Sequence, residues 1–66
     1  MKKIINQMEK LLAIMEHQIE SREETYDSRS ENWQDSEKGE DYLEVTEGLK
    51  EMELDLMDWI EELTEI

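Results

Sequence analysis

Apolar residues recur every seven positions along most of this chain, in two runs separated by one polar stretch, Ser36-Glu37-Lys38-Gly39-Glu40-Asp41. In the first run Ile5, Leu12, Ile19, Tyr26 and Trp33 are each seven apart. In the second, Tyr42, Leu49, Leu56 and Leu63 are seven apart, with Val45, Met52, Trp59 and Ile66 three residues behind them. A repeat of this length with both apolar positions filled marks helices that pack along a seam. The pattern predicts an all-α fold, an antiparallel helical hairpin with a heptad seam, forming a single domain over residues 1–66. The first helix is expected over about 2–36, a turn over about 37–40 and the second helix over about 40–65. Gly39 accepts a left-handed backbone without steric cost, so it is expected to end the first helix.

The first seam reads Ile5, Met8, Leu12, Met15 and Ile19, after which Arg22 and Arg29 stand where apolar residues belong. Within Thr25 to Ser30, Asp27, Ser28 and Ser30 are poor helix formers, and Ser28 with Glu31 has capping-box spacing. A break there is the alternative; the in-phase Tyr26 and Trp33 favour a continuous helix. Folding back about Gly39 places Arg22 opposite Asp55, Arg29 opposite Gly48 and Ile66 beside Leu11. Those arginines are expected to fix register by ion pairing, with Gly48 small to admit Arg29. About ten N-terminal residues are then left unpaired. Trp33 and Trp59 are expected in the core, with Trp33 alternatively a partner-binding anchor near the turn.

Apolar residues also fall outside the seams. Ile4, Leu11 and Ile14 widen the first helix's apolar face, and Leu43, Leu54 and Met57 form a second strip on the other helix. A lone two-helix hairpin of 66 residues is marginal, and without cysteine it has no disulfide to reinforce it, so the missing stability is expected from oligomerisation or a partner. Two copies sharing Ile4, Ile5, Met8, Leu11, Leu43, Leu54 and Met57 in a homodimeric four-helix bundle would supply the missing burial.

Composition then sharpens the picture. Twenty acidic residues against seven basic ones give a formal net charge of −13. The imbalance grows along the chain, from +2 over residues 1–15 to −5 over 16–38 and −10 over 39–66. Such a surface repels nucleic acid and anionic membrane and attracts basic proteins. No apolar run approaches the roughly 20 residues of a membrane span, and Met1-Lys2-Lys3 opens a polar helix rather than a signal peptide. The expectation is a soluble, cytoplasmic protein with no membrane or direct nucleic-acid partner.

The acidic residues are ordered. Glu40, Glu44, Glu47, Glu51, Asp55, Asp58, Glu62 and Glu65 step by three or four, as do Glu16, Glu20, Glu23, Asp27, Glu31 and Asp35, so each set forms a ridge along one helix. The first ridge spans about 38 Å at 1.5 Å per residue, roughly one carboxylate every 5 Å against about 3.4 Å per phosphate of a DNA strand. Exposed helices ordinarily intersperse Glu with Lys, whereas the second helix carries Lys50 alone. Without that contrast the ridges would read as an ordinary solvated surface.

Catalysis finds no support. There is no cysteine, no phosphate-binding Gly-rich loop and no second histidine beside His17, and no Glu-x-x-His pair exists for a metal centre. The chain is read as a non-enzyme without cofactor or metal.

The run YDSRSENWQDSEKGEDY, Tyr26 to Tyr42, resembles small acidic helical proteins of bacteriophages and prophages. That resemblance implies an intracellular viral setting, in which such proteins inhibit host defence systems, some by imitating DNA. Two readings follow. In one, the ridges occupy the nucleic-acid groove of a basic host defence protein of the CRISPR-effector or restriction-nuclease class. In the other, the chain is a dimerising structural or adaptor module that docks a partner helix, and its acidity serves solubility.

Overall fold

A computed structural model describes residues 1–65, and every element in them is helical: α1 (Lys2–Ser28), α2 (Glu31–Gln34) and α3 (Glu37–Glu65). The long helices α1 and α3 pack against each other in a body of 49 × 15 × 11 Å. The direction is antiparallel, since Arg22 meets Thr46 while Leu11 and Met15 line a groove with Met52, Leu56 and Trp59. Ile66, expected to close the second ladder beside Leu11, lies outside the described residues.

The first seam is as the heptads predict. Ile5, Met8, Leu12, Met15, Ile19, Arg22 and Tyr26 are the less exposed positions of α1, with Met15 and Ile19 buried. Half of the second seam is different. Tyr42, Leu49, Leu56 and Leu63 do turn inward, but their companions are Thr46, Glu53 and Ile60. Val45, Met52 and Trp59, expected in the seam, are 55%, 59% and 61% exposed. The reason is Arg22, whose Nε donates to Thr46 Oγ1 at 2.9 Å and whose Nη2 donates to the Tyr42 carbonyl at 3.1 Å. Thr46 is only 2% exposed and donates to the same carbonyl, so a polar pair occupies the layer a leucine would fill. α3 is rotated about its axis to present that pair, which turns the Val45 ladder out of the interface.

The register also differs from expectation. Arg22 meets Thr46 rather than Asp55, nine residues earlier and about two and a half turns away. Carried along both helices, this pairing brings Glu65 level with Lys3, so the ten-residue N-terminal overhang is absent. Arg29 does not reach Gly48, around which no other atom lies within 4 Å of an added Cβ. Its guanidinium instead sits 4.4 Å from the centre of the Trp33 ring.

The first helix ends at Ser28, not near Ser36. Arg29 and Ser30 are extended, and α2 begins anew with Ser30 as its cap, accepting from the Trp33 amide at 3.3 Å. Ser28 is no cap; its hydroxyl turns back to the Thr25 carbonyl. Gln34 Nε2 donates to the carbonyls of Tyr26 and Arg29, satisfying backbone that the helix end leaves open. Tyr26, Trp33 and Tyr42 follow each other edge to face at 6.0 and 5.6 Å, so the aromatic ladder survives the break. Ser36 caps α3 through the Gly39 amide, and Gly39 lies inside the first turn of that helix rather than in a left-handed terminator. It is glycine because an added Cβ would stand 2.1 Å from the Trp33 carbonyl oxygen.

Arg22 joins this end of the molecule together, since its guanidinium also lies 3.9 Å from the centre of the Tyr42 ring. Arg22→Ala should lower stability by about 2 kcal/mol, because a cation–π contact and two charge-assisted hydrogen bonds are lost together. Urea unfolding followed by circular dichroism measures it; an unchanged midpoint contradicts this role.

Candidate functional site

All eight carboxylates of the α3 ridge, Glu40, Glu44, Glu47, Glu51, Asp55, Asp58, Glu62 and Glu65, are exposed. They run down the side of α3 turned away from Tyr42, Leu49 and Leu56, as three- and four-residue steps require. On the other helix Glu16, Glu20, Glu23 and Asp27 are exposed along α1. Glu31 and Asp35 lie beyond the break at Arg29 and Ser30, so the second ridge is shorter than the sequence spacing suggested.

Lys50 links the two ridges. Its ammonium lies 3.3 Å from Glu23 and 3.6 Å from Glu47. The hydrogen bond to Glu23, followed by the charges of Glu23 and Glu47, holds it above its ordinary value of 10.5. A raised lysine favours the folded state fully below its unfolded value, and the contribution disappears as pH climbs through the folded one. At neutral pH the contact is therefore intact, while both partners remain well solvated and its strength modest.

Elsewhere the ridges repel themselves. No basic residue stands in the last turn of α3, where Glu61, Glu62 and Glu65 face the negative end of the helix dipole, although the register brings Lys2 and Lys3 to the same end of the molecule. Added salt should therefore stabilise the fold. Between about 0.01 M and 1 M, where the screening length falls from roughly 30 to 3 Å, the melting temperature should rise by roughly 5 °C, about 1 kcal/mol. A melting temperature that falls with sodium chloride contradicts net repulsion.

The apolar residues expected to join two copies divide between places. Ile5 and Met8 are half-buried and belong to the α1 seam, whereas Ile4, Leu11, Leu43, Leu54 and Met57 are exposed. Leu11 borders two grooves: one with Lys3, Ile4, Gln7 and Met8, the other with Met15, Met52, Asp55, Leu56 and Trp59. Leu43 belongs to the other edge of the seam, in a cleft with Glu23, Asp27, Glu47 and Lys50. Leu54 and Met57 continue the Leu43 and Lys50 strip by three- and four-residue steps. Sequence periodicity missed Val45, Met52 and Trp59 as surface residues because it placed them in the seam. The signal that would have found them is Arg22, whose polar partner had to come from the other ladder.

His17 shares a shallow exposed depression with Glu20, Ser21 and Glu24. Among the described residues no three histidine, aspartate or glutamate side chains gather to hold a metal ion, and no helix is long and apolar enough to cross a membrane. No protein-family model, curated protein or solved structure matches the chain.

Proposed function

We propose that this chain is a phage-type inhibitor that acts by binding rather than catalysis. In this reading it is a helical hairpin that pairs with a second copy into a four-helix bundle in the host cytoplasm. Its carboxylate ridges meet the basic nucleic-acid groove of a host defence protein, of the CRISPR-effector or restriction-nuclease class. The observation that carries the reading is the α3 ridge: eight exposed carboxylates along about 38 Å of helix, with basic residues only at Lys38, in the first turn of that helix, and at Lys50, already engaged by Glu23 and Glu47. A surface so spaced offers a basic groove the charge density it evolved to hold, and its attraction is long-ranged and salt-dependent.

The test is competition. The protein is added to purified CRISPR effectors and restriction nucleases carrying labelled duplex DNA. Displacement at low salt that fades as salt is raised is expected for one of them. Displacement undiminished at high salt, or none from any enzyme, contradicts the proposal.

The adaptor reading draws on a different observation, the exposure of Ile4, Leu11, Leu54 and Met57. It differs in what it predicts: changing those residues to glutamate abolishes partner binding, and neutralising the ridge leaves it intact.

A further inference from the structure

Ile4, Met8 and Leu11 on α1 join Met52 and Trp59 on α3 into one apolar face, because the two grooves that they line share Leu11. The face occupies the half of the molecule away from the turn. Its rims differ in charge. The α1 groove brings Lys3 and Gln7 and no carboxylate, while Asp55, Asp58 and Glu62 border Trp59 on α3. The other edge of the seam is acidic on both helices, with Glu23 and Asp27 facing Glu47 across a cleft.

We propose that a second copy of this chain covers this face, related by a two-fold axis parallel to the helices, so that each α1 lies on the partner's α3 and both turns sit at one end. The inference rests on the two-copy assembly proposed above and specifies its surface and orientation.

Two quantities select a second copy as the occupant. The chain exposes 5396 Å², whereas a compact monomer of 8.0 kDa exposes about 4,450 Å². The excess, about 900 Å², is close to the roughly 800 Å² that each partner buries in an ordinary stable interface. Charge then selects the orientation. A closed two-fold pairing sets the same surface against itself, so the rims must complement each other under the symmetry operation. With the axis along the helices, the carboxylate-free rim of α1 meets the acidic rim of the partner's α3. With the axis across the helices, α3 meets α3 and Asp55, Asp58 and Glu62 confront their own copies. The same argument disfavours the Leu43 end of the other strip as the interface, since its cleft holds Glu23 and Asp27 of α1 and Glu47 of α3.

The absence of natural cysteine gives a clean test. Gln7 and Glu62 border the face, are exposed, and fall at the same level in the observed register. Gln7→Cys and Glu62→Cys chains are prepared separately, mixed, and treated with a short thiol-reactive cross-linker; circular dichroism confirms that each is helical. The expected product is the mixed dimer, at least tenfold more abundant than either like-with-like dimer. Predominant Gln7→Cys or Glu62→Cys self-linked dimers overturn the orientation and leave two-copy assembly standing. No cross-linking in chains that are fully helical at the mass of a single copy overturns both.

Discussion

Gly39→Ala should remove most of this protein's stability. The new methyl would stand 2.1 Å from the Trp33 carbonyl oxygen and 2.6 Å from that of Gln34, and both are backbone atoms fixed by the caps of α2 and α3. No flexible side chain can yield, so α2 must part from the first turn of α3. The expected cost is about 3 kcal/mol. A chain of this length has only about 3 to 10 kcal/mol in total, so the melting temperature should fall by at least 15 °C or the transition lose cooperativity. Gly48→Ala is the control at the other glycine. It sits mid-helix in open space, and replacing it should raise stability by about 0.5 to 1 kcal/mol through helix propensity alone. Thermal melts followed by circular dichroism separate the two; equal effects would contradict the close approach at Gly39.

Neutralising Glu44 and Glu51 to glutamine should weaken partner binding by roughly tenfold, taking each solvated charge at about 0.7 kcal/mol. These two point away from the seam and hold no ion pair among the described residues. Glu47 is left intact because it touches Lys50, and Asp55 because it borders the apolar face. The fold should not suffer, since removing like charges along one helix relieves repulsion. The association rate should carry most of the loss, as expected where charge steers encounter. Binding reduced less than threefold, with the variant still folded, contradicts a role for the ridge.

The sequence reveals the helices and the α1 seam because those depend on period alone. Ile5, Met8, Leu12, Met15 and Ile19 turn inward where their spacing puts them. What period cannot reveal is which of two ladders on α3 faces the partner. Val45, Met52 and Trp59 are more apolar than Thr46, Glu53 and Ile60, yet the second set is inside, because Arg22 needs Thr46 and the Tyr42 carbonyl. A polar layer inverted the rule that the greasier ladder is buried. Gly39 misled in a similar way. Its sequence context suggests a left-handed terminator, whereas its use is to let two carbonyls pass close by. The ridges needed no such knowledge: three- and four-residue steps opposite any apolar seam are exposed, and only the break at Arg29 and Ser30 shortened one of them.

The misplaced ladder has a physical consequence. Turning Met52 and Trp59 outward leaves them beside Leu11 on the surface, so the residues released from the seam form an exposed apolar groove. In the proposed pairing a second copy covers this face, and Glu40, Glu44, Glu47 and Glu51 of the α3 ridge stay outside the interface.

Sedimentation equilibrium at micromolar concentration, in moderate salt, tests this most directly. Two copies of the 8.0 kDa chain should give a mass of about 16 kDa, with helicity falling together with that mass on dilution. A fully helical species of 8.0 kDa that persists across the same concentrations would contradict the account.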